Sequence, residues 1–335
     1  MTKLKTYLDI VQECDNFPYP TDNPTQYKTH LEKYYAFKVA NYADQTLGHV
    51  PGHIIQSFTF PTGWIVNHEA RELILAPPLT TTETESTARA KRTALMQSTL
   101  NQMSTCTTRP EFLSLAKQWR NETFPIVAKT QPTGEQTPVL LLEIERCASA
   151  LFGILTSGVQ LTCYVRDSAS GALRIWIARR SRAKQTYPGM LDSAAAGGLE
   201  SGMDPLEGVV REAVEEASLD ERVVRGGVRG CGVLSYFHVK APLVKGGDEV
   251  GYLQPEIEYV YELELMEGVE PRPGDDEVEE FFLWGVDEVK AALLRGEFKP
   301  NSAIVVVDFL IRHGVVTAEN ERDYCEIVWR LHRRL

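Results

Sequence analysis

The sequence predicts a layered α/β (α+β) protein built as two unequal domains, and three features carry that prediction. The chain has 335 residues, about twice what a single core of roughly 150 residues organises. From Val159 onward, β-branched and aromatic runs alternate with stretches of helical periodicity, the pattern of a mixed sheet covered by helices. Ahead of residue 140 the pattern is mixed helix and loop with proline-rich joints, and the polar, turn-rich QPTGEQTP at 131–138 separates the two regimes. The expected division is a smaller mixed α/β domain over 1–140, a main layered domain over 141–305 and a helical extension over 306–335.

In the first domain FPYPTDNP is a joint, GWIVNHEARELIL around Trp64 reads as a strand pair, and ILAPPLTTTETESTARA is a loop leading into a helix. Helical spacing follows over Ala88–Leu100 and Pro110–Trp119. In the second, Val159–Arg166 and Leu173–Arg179 flank the turn-forming DSASG and predict an antiparallel hairpin. Further strands are expected through SAAAG, VLSYFHV, EIEYVYELEL and FFLW, with APLVKGGDEVGYL as a glycine-rich connection. VDEVKAALLRG and NSAIVVVDFLIRHG predict helices, and residues 318–335 a basic terminal one.

Composition narrows the function class. With 43% apolar and 24% charged residues the chain is ordinary globular protein. No run approaches the roughly 18 apolar residues of a bilayer span, and MTKLKTYLDIVQECDN lacks the apolar core of a signal peptide, so no membrane partner is expected. The default address is the cytoplasm, with nucleus or organelle compatible. Six cysteines lie far apart without a CxxC pair, as reduced thiols do. A net charge of −11 argues against a nucleic-acid polymer as partner. A phosphorylated small molecule remains compatible where local cations offset the repulsion.

The densest chemistry lies in GGLESGMDPLEGVVREAVEEASL, residues 197–219. Asp204 is an N-cap, Pro205 takes the first helical position, and Glu207 is placed to reach back toward the cap. Leu206, Val209, Val210, Ala213, Val214 and Ala217 then form one apolar face. Glu212, Glu215 and Glu216 project together at steps of three and four, while Glu207 sits four before Arg211, a spacing suited to an ion pair. Like charges at that spacing repel, and no lysine is interleaved among them. A bound cation would relieve the strain, and carboxylates alone favour a hard ion, Mg²⁺ or Mn²⁺. Gly197 and Gly198 let the backbone approach that ion or its ligand.

Gly197, Arg211-Glu212 fourteen residues on, and then Val214, Glu215, Glu216 and Leu219 resemble the Nudix box. Met203 stands where that motif usually has glutamate, and Ser218 where it usually has glycine. ARRSRAKQTYPGMLDSAAAGG, LQPEIEYVYELEL, DEVEEFFLW and KPNSAIVVVDFLIRHG are further similar to thiamine-pyrophosphokinase-related Nudix proteins of fungi and plants. In that group a domain of uncharacterised type, matched here by GWIVNHEAREL and WRNETFPI, precedes the Nudix domain, and the loop acid is often missing. The resemblance implies a Nudix α/β/α sandwich with a mixed sheet and Mg²⁺-dependent (or Mn²⁺-dependent) hydrolysis of diphosphates. It suggests oxidised or damaged thiamine diphosphate (oxothiamine or oxythiamine diphosphate) as substrate, converted to the monophosphate with release of phosphate. Oxidised deoxynucleoside diphosphates of the 8-oxo-dGDP type are an alternative, and a nonenzymatic ligand-binding module on the same fold is a third reading.

In that reaction Glu212, Glu215 and Glu216 are expected as metal ligands, with Arg211 held beside them. One of the glutamates, or Glu279 or Glu280 ahead of FFLW, would orient or deprotonate the attacking water. Arg179, Arg180, Arg182 and Lys184 form a dense basic cluster suited to phosphate capture. Gln185, Thr186 and Tyr187 are candidates to flank the organic part, and Trp64, His68 and Trp119 to cap it.

Overall fold

The computed structural model describes residues 4–106, 109–129, 134, 137–184, 186–240, 251–266 and 268–335. The chain begins with helices α1 (Tyr7–Cys14) and α2 (Pro24–Leu31), strands β1 (Tyr34–Val39) and β2 (Gly48–Pro51), and helix α3 (Gly52–Ser57). Strands β3 (Trp64–Asn67) and β4 (Glu72–Leu75), helices α4 (Glu85–Ser104) and α5 (Pro110–Gln118), strands β5 (Thr123–Ala128) and β6 (Val139–Glu145), and the short helix α6 (Ser149–Phe152) follow. The strand pair expected around Trp64 is β3 and β4, and the two expected helices are α4 and α5. A four-stranded sheet runs β2-β1-β4-β3, with β1 and β4 parallel and the outer pairs antiparallel.

Strands β5 and β6 pair antiparallel with Thr123 opposite Glu145. The stretch expected to join two domains is therefore the connection inside a hairpin, most of it outside the described residues. The first core runs on past residue 140, with Leu142, Ile144, Phe152 and Ile154 buried among Phe37, Leu73, Met96 and Phe112.

The second region contains β7 (Thr156–Arg166), β8 (Leu173–Arg180), β9 (Leu191–Asp192), β10 (Ala195–Gly198), α7 (Pro205–Glu215), α8 (Glu221–Gly227), β11 (Arg229–Lys240) and β12 (Tyr252–Glu264). It closes with β13 (Val278–Gly285), α9 (Val286–Arg295), α10 (Pro300–Arg312) and α11 (Tyr324–Leu331). The sheet runs β11-β12-β7-β8-β13, with β10 on β7 and β9 on β8, and β12 and β7 are its parallel pair. The expected strands are all present; most of the glycine-rich connection, 241–250, lies outside the described residues. The terminal helix is shorter than 318–335, because turns occupy the residues up to Asp323.

Helix α7 covers one face of this sheet through Val209, Val210 and Ala213. Helices α9, α10 and α11 cover the other, giving three layers. Helix α1 lies with that second set, although chain order assigned it to the first domain. Thr6 and Asp9 cap it reciprocally (3.1 and 2.8 Å), and Tyr7, Ile10, Val11 and Cys14 are buried in the second core. Asp15 then receives Arg333 Nη1 (2.9 Å) and Phe237 N (3.0 Å), so a buried ion pair ties the two ends of the chain to β11. All six cysteines are unbridged, with Cys14 and Cys163 fully buried. No helix among the described residues is long and apolar enough to cross a membrane.

Candidate active site

Helix α7 starts as expected: Asp204 Oδ1 accepts from Leu206 N (2.9 Å) and Pro205 opens the first turn. The expected pair between Glu207 and Arg211 does not form. Glu207 instead meets Arg225 of α8 in a two-pronged contact (2.7 Å each) on the exposed side. Arg211 lies between Glu200 (2.7 Å) and Glu212 (3.0 Å). Met203 packs against the apolar core under α7, and Glu200, three residues earlier, supplies the loop carboxylate. Past the helix, Ser218 adopts the left-handed conformation (φ 50) that glycine enters more readily. The last turn's carbonyls are taken by Arg272 N on Ala217 O (2.9 Å) and Gly274 N on Glu216 O (3.1 Å).

The glutamates of α7 meet the end of β10. A Cβ at position 197 would lie 2.1 Å from Glu212 Oε1, so Gly197 makes room for that carboxylate. Glu216 Oε2 accepts from Ala196 N (2.8 Å). Burial pushes Glu212 up, opposed by Arg211 and reinforced by the charge of Glu215. Burial pushes Glu216 well up, against the Ala196 hydrogen bond and with the Glu212 charge adding. Glu216 shares a hydrogen bond with Glu277; burial of Glu277 is outweighed by Lys184 and Glu216, which hold it below the usual range. Burial thus favours the protonated form at Glu216, while the Lys184 ammonium favours the ionised form at Glu277.

Glu277 was missed in the sequence, where Glu279 and Glu280 were favoured. A register shift between Val278 and Glu280 breaks the strand alternation. Glu277 enters the cleft, while Glu279 pairs with Arg182 (3.3 Å) and Glu280 with Arg179 (3.0 Å) on the exposed edge of β8 and β13. Among the described residues no three Asp, Glu, His or Cys side chains converge on a point that would hold an ion as they stand. Glu212 is turned to Arg211, Glu216 to Ala196 and Glu277, and Glu215 is exposed at the cleft margin.

These groups line a cleft of about 800 Å³ between the two regions. Of the expected basic cluster, Arg180 and Lys184 face it; Arg179 and Arg182 do not. Arg180 is held by Asp192 (2.6 Å) and the carbonyls of Tyr187 (3.2 Å) and Thr186 (3.1 Å). Tyr187, at positive φ, contributes that carbonyl while its ring stays off the cleft wall. Gln185 lies outside the described residues. The first region supplies Arg120 and Arg146, which sequence reasoning missed because they are remote in the chain. A Cβ at Gly198 would lie 2.8 Å from Phe124 and 3.4 Å from Arg146 Cζ, so the first region abuts the glycines ahead of α7. Arg146 is steadied by Glu122 (2.5 Å). None of the expected capping residues lines the cleft. Trp64 is buried and donates to Thr99 (2.9 Å), His68 bonds Tyr35 (2.9 Å) and Trp119 bonds Asn121 (3.1 Å).

Residues 157–305 match the family model of the NUDIX domain. The chain is 40% identical over 225 residues to an uncharacterized protein of Saccharomyces cerevisiae, covering 67% of this chain and 64% of that protein. It is 34% identical over 216 residues to Nudix hydrolase 20, chloroplastic, of Arabidopsis thaliana (64% and 53%), and 32% identical over 213 residues to Nudix hydrolase 24, chloroplastic, of the same plant (63% and 53%). The matched stretches span between 53% and 64% of these relatives' own lengths. The chain therefore carries a Nudix domain and has Nudix hydrolases among its homologues.

Proposed function

We propose that this chain is a divalent-metal-dependent hydrolase that cleaves the anhydride of a diphosphate ester, with an oxidised form of thiamine diphosphate as substrate and the monophosphate and phosphate as products. One observation carries the reading: Glu212, Glu216 and Glu277 line the same cleft as Arg120, Arg146, Arg180 and Lys184. Carboxylates alone would repel a diphosphate, and guanidinium and ammonium groups alone would bind it without activating water. The combination does both.

The all-oxygen donor set of Glu212, Glu215 and Glu216 fits a hard cation, with Glu277 beside it. Their side chains would turn from Arg211 and Ala196 to take it up. When bound, Mg²⁺ or Mn²⁺ supplies charge neutralisation along the anhydride and polarises the phosphoryl group. Arg180 and Lys184 hold phosphate oxygens from the second region, and Arg120 and Arg146 from the first. Water forms the new P–O bond, the bridging P–O bond breaks, and the proton released by the water passes to the Glu277 carboxylate.

Glu216→Gln is expected to lower metal-dependent phosphate release about 100-fold, the scale of a lost acid–base group, without altering the circular dichroism spectrum. Native turnover in that variant would remove the mechanism. Substrate choice is read by screening thiamine diphosphate, oxothiamine and oxythiamine diphosphates and oxidised deoxynucleoside diphosphates for phosphate release. Preference for the last group would replace the thiamine assignment. Ligand binding without release in every case would favour the nonenzymatic module.

A further inference from the structure

Away from the α7 glutamates the cleft runs onto the face of β11 and β12 that α1 and α10 cover. Tyr236, His238 and Lys240 of β11 are register partners of Glu256, Gln254 and Tyr252 of β12, so these side chains share that face. Lys240, Gln254 and Glu256 line the cleft there, and α6, which packs on β12, adds Ser149 and Ala150 from the first region. Gly158 and Gly198 lie nearer α7 and offer no open floor, because the Glu258 carboxyl and the Phe124 ring stand over them. Four residues along β12 and two strand spacings across separate Gln254 from Gly198, roughly 16 Å. With about 800 Å³ the cleft suits a drug-sized ligand and not a diphosphate alone. We propose that Lys240, Gln254 and Glu256 form the subsite for the organic end of the substrate, and that they select a neutral ring bearing a carbonyl oxygen over a cationic ring.

The hydrogen-bonding groups at this end are unevenly committed. Glu256 Oε2 accepts from the Tyr236 hydroxyl, and Oε1 accepts from Thr156 Oγ1 at 3.4 Å, so the carboxylate is fixed in place. Among the described residues the Lys240 ammonium makes no ion pair or hydrogen bond, and the Gln254 amide makes no hydrogen bond. Elsewhere in the cleft Arg146, Arg180, Lys184 and Arg211 each have a carboxylate partner. Burial works against the Lys240 charge, and Glu256 supports it from a distance. The result is a separated pair of opposite charges beside an uncommitted amide. A cationic ring gains from Glu256 only what Lys240 takes back, and an anionic group meets the reverse. A neutral ring suffers neither repulsion. Its carbonyl oxygen can accept from Lys240 and Gln254, which relieves the partly buried ammonium, whereas a ring without that oxygen leaves both donors unpaired. An oxidised ring that carries a carbonyl in place of a positive charge is the ligand these three side chains distinguish.

The subsite rests on the cleft being a diphosphate-ester site, and its test is made independent of turnover. Three methylenediphosphonate esters, whose carbon bridge resists hydrolysis, carry on a four-carbon spacer an N-linked pyridin-2-one, an N-linked pyridinium or a phenyl ring. Each is titrated calorimetrically into the full chain with Mg²⁺ at pH 7. The pyridone ester is expected to bind about tenfold tighter than the phenyl ester, the scale of one hydrogen bond from a charged donor, with the pyridinium ester weakest. Lys240→Met, which keeps the apolar stem, is expected to invert the order of pyridone and pyridinium, because Glu256 then attracts the cation unopposed. Lys240→Arg should keep the native order, and Gln254→Leu should weaken the pyridone ester about threefold without inversion. Equal binding of pyridone and phenyl esters by the native chain, or a Lys240→Met chain that weakens all three alike, would overturn the proposal. If none of the three bound the native chain, the diphosphate-ester reading would fall and the subsite with it. The expected order without phosphate release from any diphosphate would sink the catalytic reading alone.

Discussion

Two acidic stretches of this chain, REAVEE on α7 and DDEVEE running into β13, have similar charge density and opposite fates. In the second, Glu279 and Glu280 are each matched to an arginine of the neighbouring hairpin at the solvent edge. In the first, Glu212 and Glu216 turn inward, where burial and the approach of other carboxylates favour protonation. Glu277 crosses from one group to the other, and Asp275 lines the cleft beside it. Acids matched one to one by exposed arginines contribute little. Acids made to face one another in a cleft carry stored electrostatic strain, which a cation or a proton transfer releases.

The sharpest way to break this contrast is to neutralise one acid of each kind. Glu277→Gln is expected to reduce kcat for phosphate release about 100-fold, because it removes the partner through which Lys184 and Glu216 communicate. Glu279→Gln, two residues away, is expected to stay within about twofold of native, as its arginine contact is exposed. Steady-state kinetics of the two variants decide the matter; equal losses would mean that the stretch acts as a field and not through one residue.

How much of this was legible in the sequence follows from how far each interaction reaches along the chain. The clustering of Glu212, Glu215 and Glu216 is a property of one helix, so periodicity revealed it. Glu277 was hidden by a register shift, since strict alternation makes 277 and 279 equivalent. Arg120 and Arg146 could not be placed, because they reach the cleft through packing of the first region on Gly198. Helix α1 shows the reverse case. Its apolar spacing at Tyr7, Ile10, Val11 and Cys14 is plain, yet no local signal says which of two cores receives it.

The buried acid on the opposite side of the cleft offers a second comparison, read in stability. The ordinary glutamate value is 4.5, and Glu258 is raised to about 8 in the folded chain. Between those values the folded state binds more protons than the unfolded state, so this group lowers stability progressively as pH rises from about 4.5 to 8. Glu258→Gln preserves the shape and removes the titration. Its Tm should therefore exceed the native Tm by several degrees at pH 8, an effect on the scale of one or two kcal/mol, and the gap should close toward pH 5. Melting curves that show a constant or inverted gap would contradict the assignment of Glu258 as a neutral acid.

The smallest effect separates the two carboxylates that sequence spacing and folded geometry assign to Arg211. Glu200 holds Arg211 from the loop, with both side chains about one-third exposed, and Arg211 in turn contacts Glu212. Glu200→Gln replaces a charge-assisted contact by a neutral one and frees Arg211 to draw more strongly on Glu212, which should lower kcat about tenfold with little change in KM. Glu207→Gln should leave kinetics unaltered, because Glu207 engages Arg225 on the outer side of α7 and α8. If Glu207→Gln were the damaging variant, the pairing expected at four-residue spacing would operate in solution, and the handover of Arg211 to Glu200 would have to be abandoned.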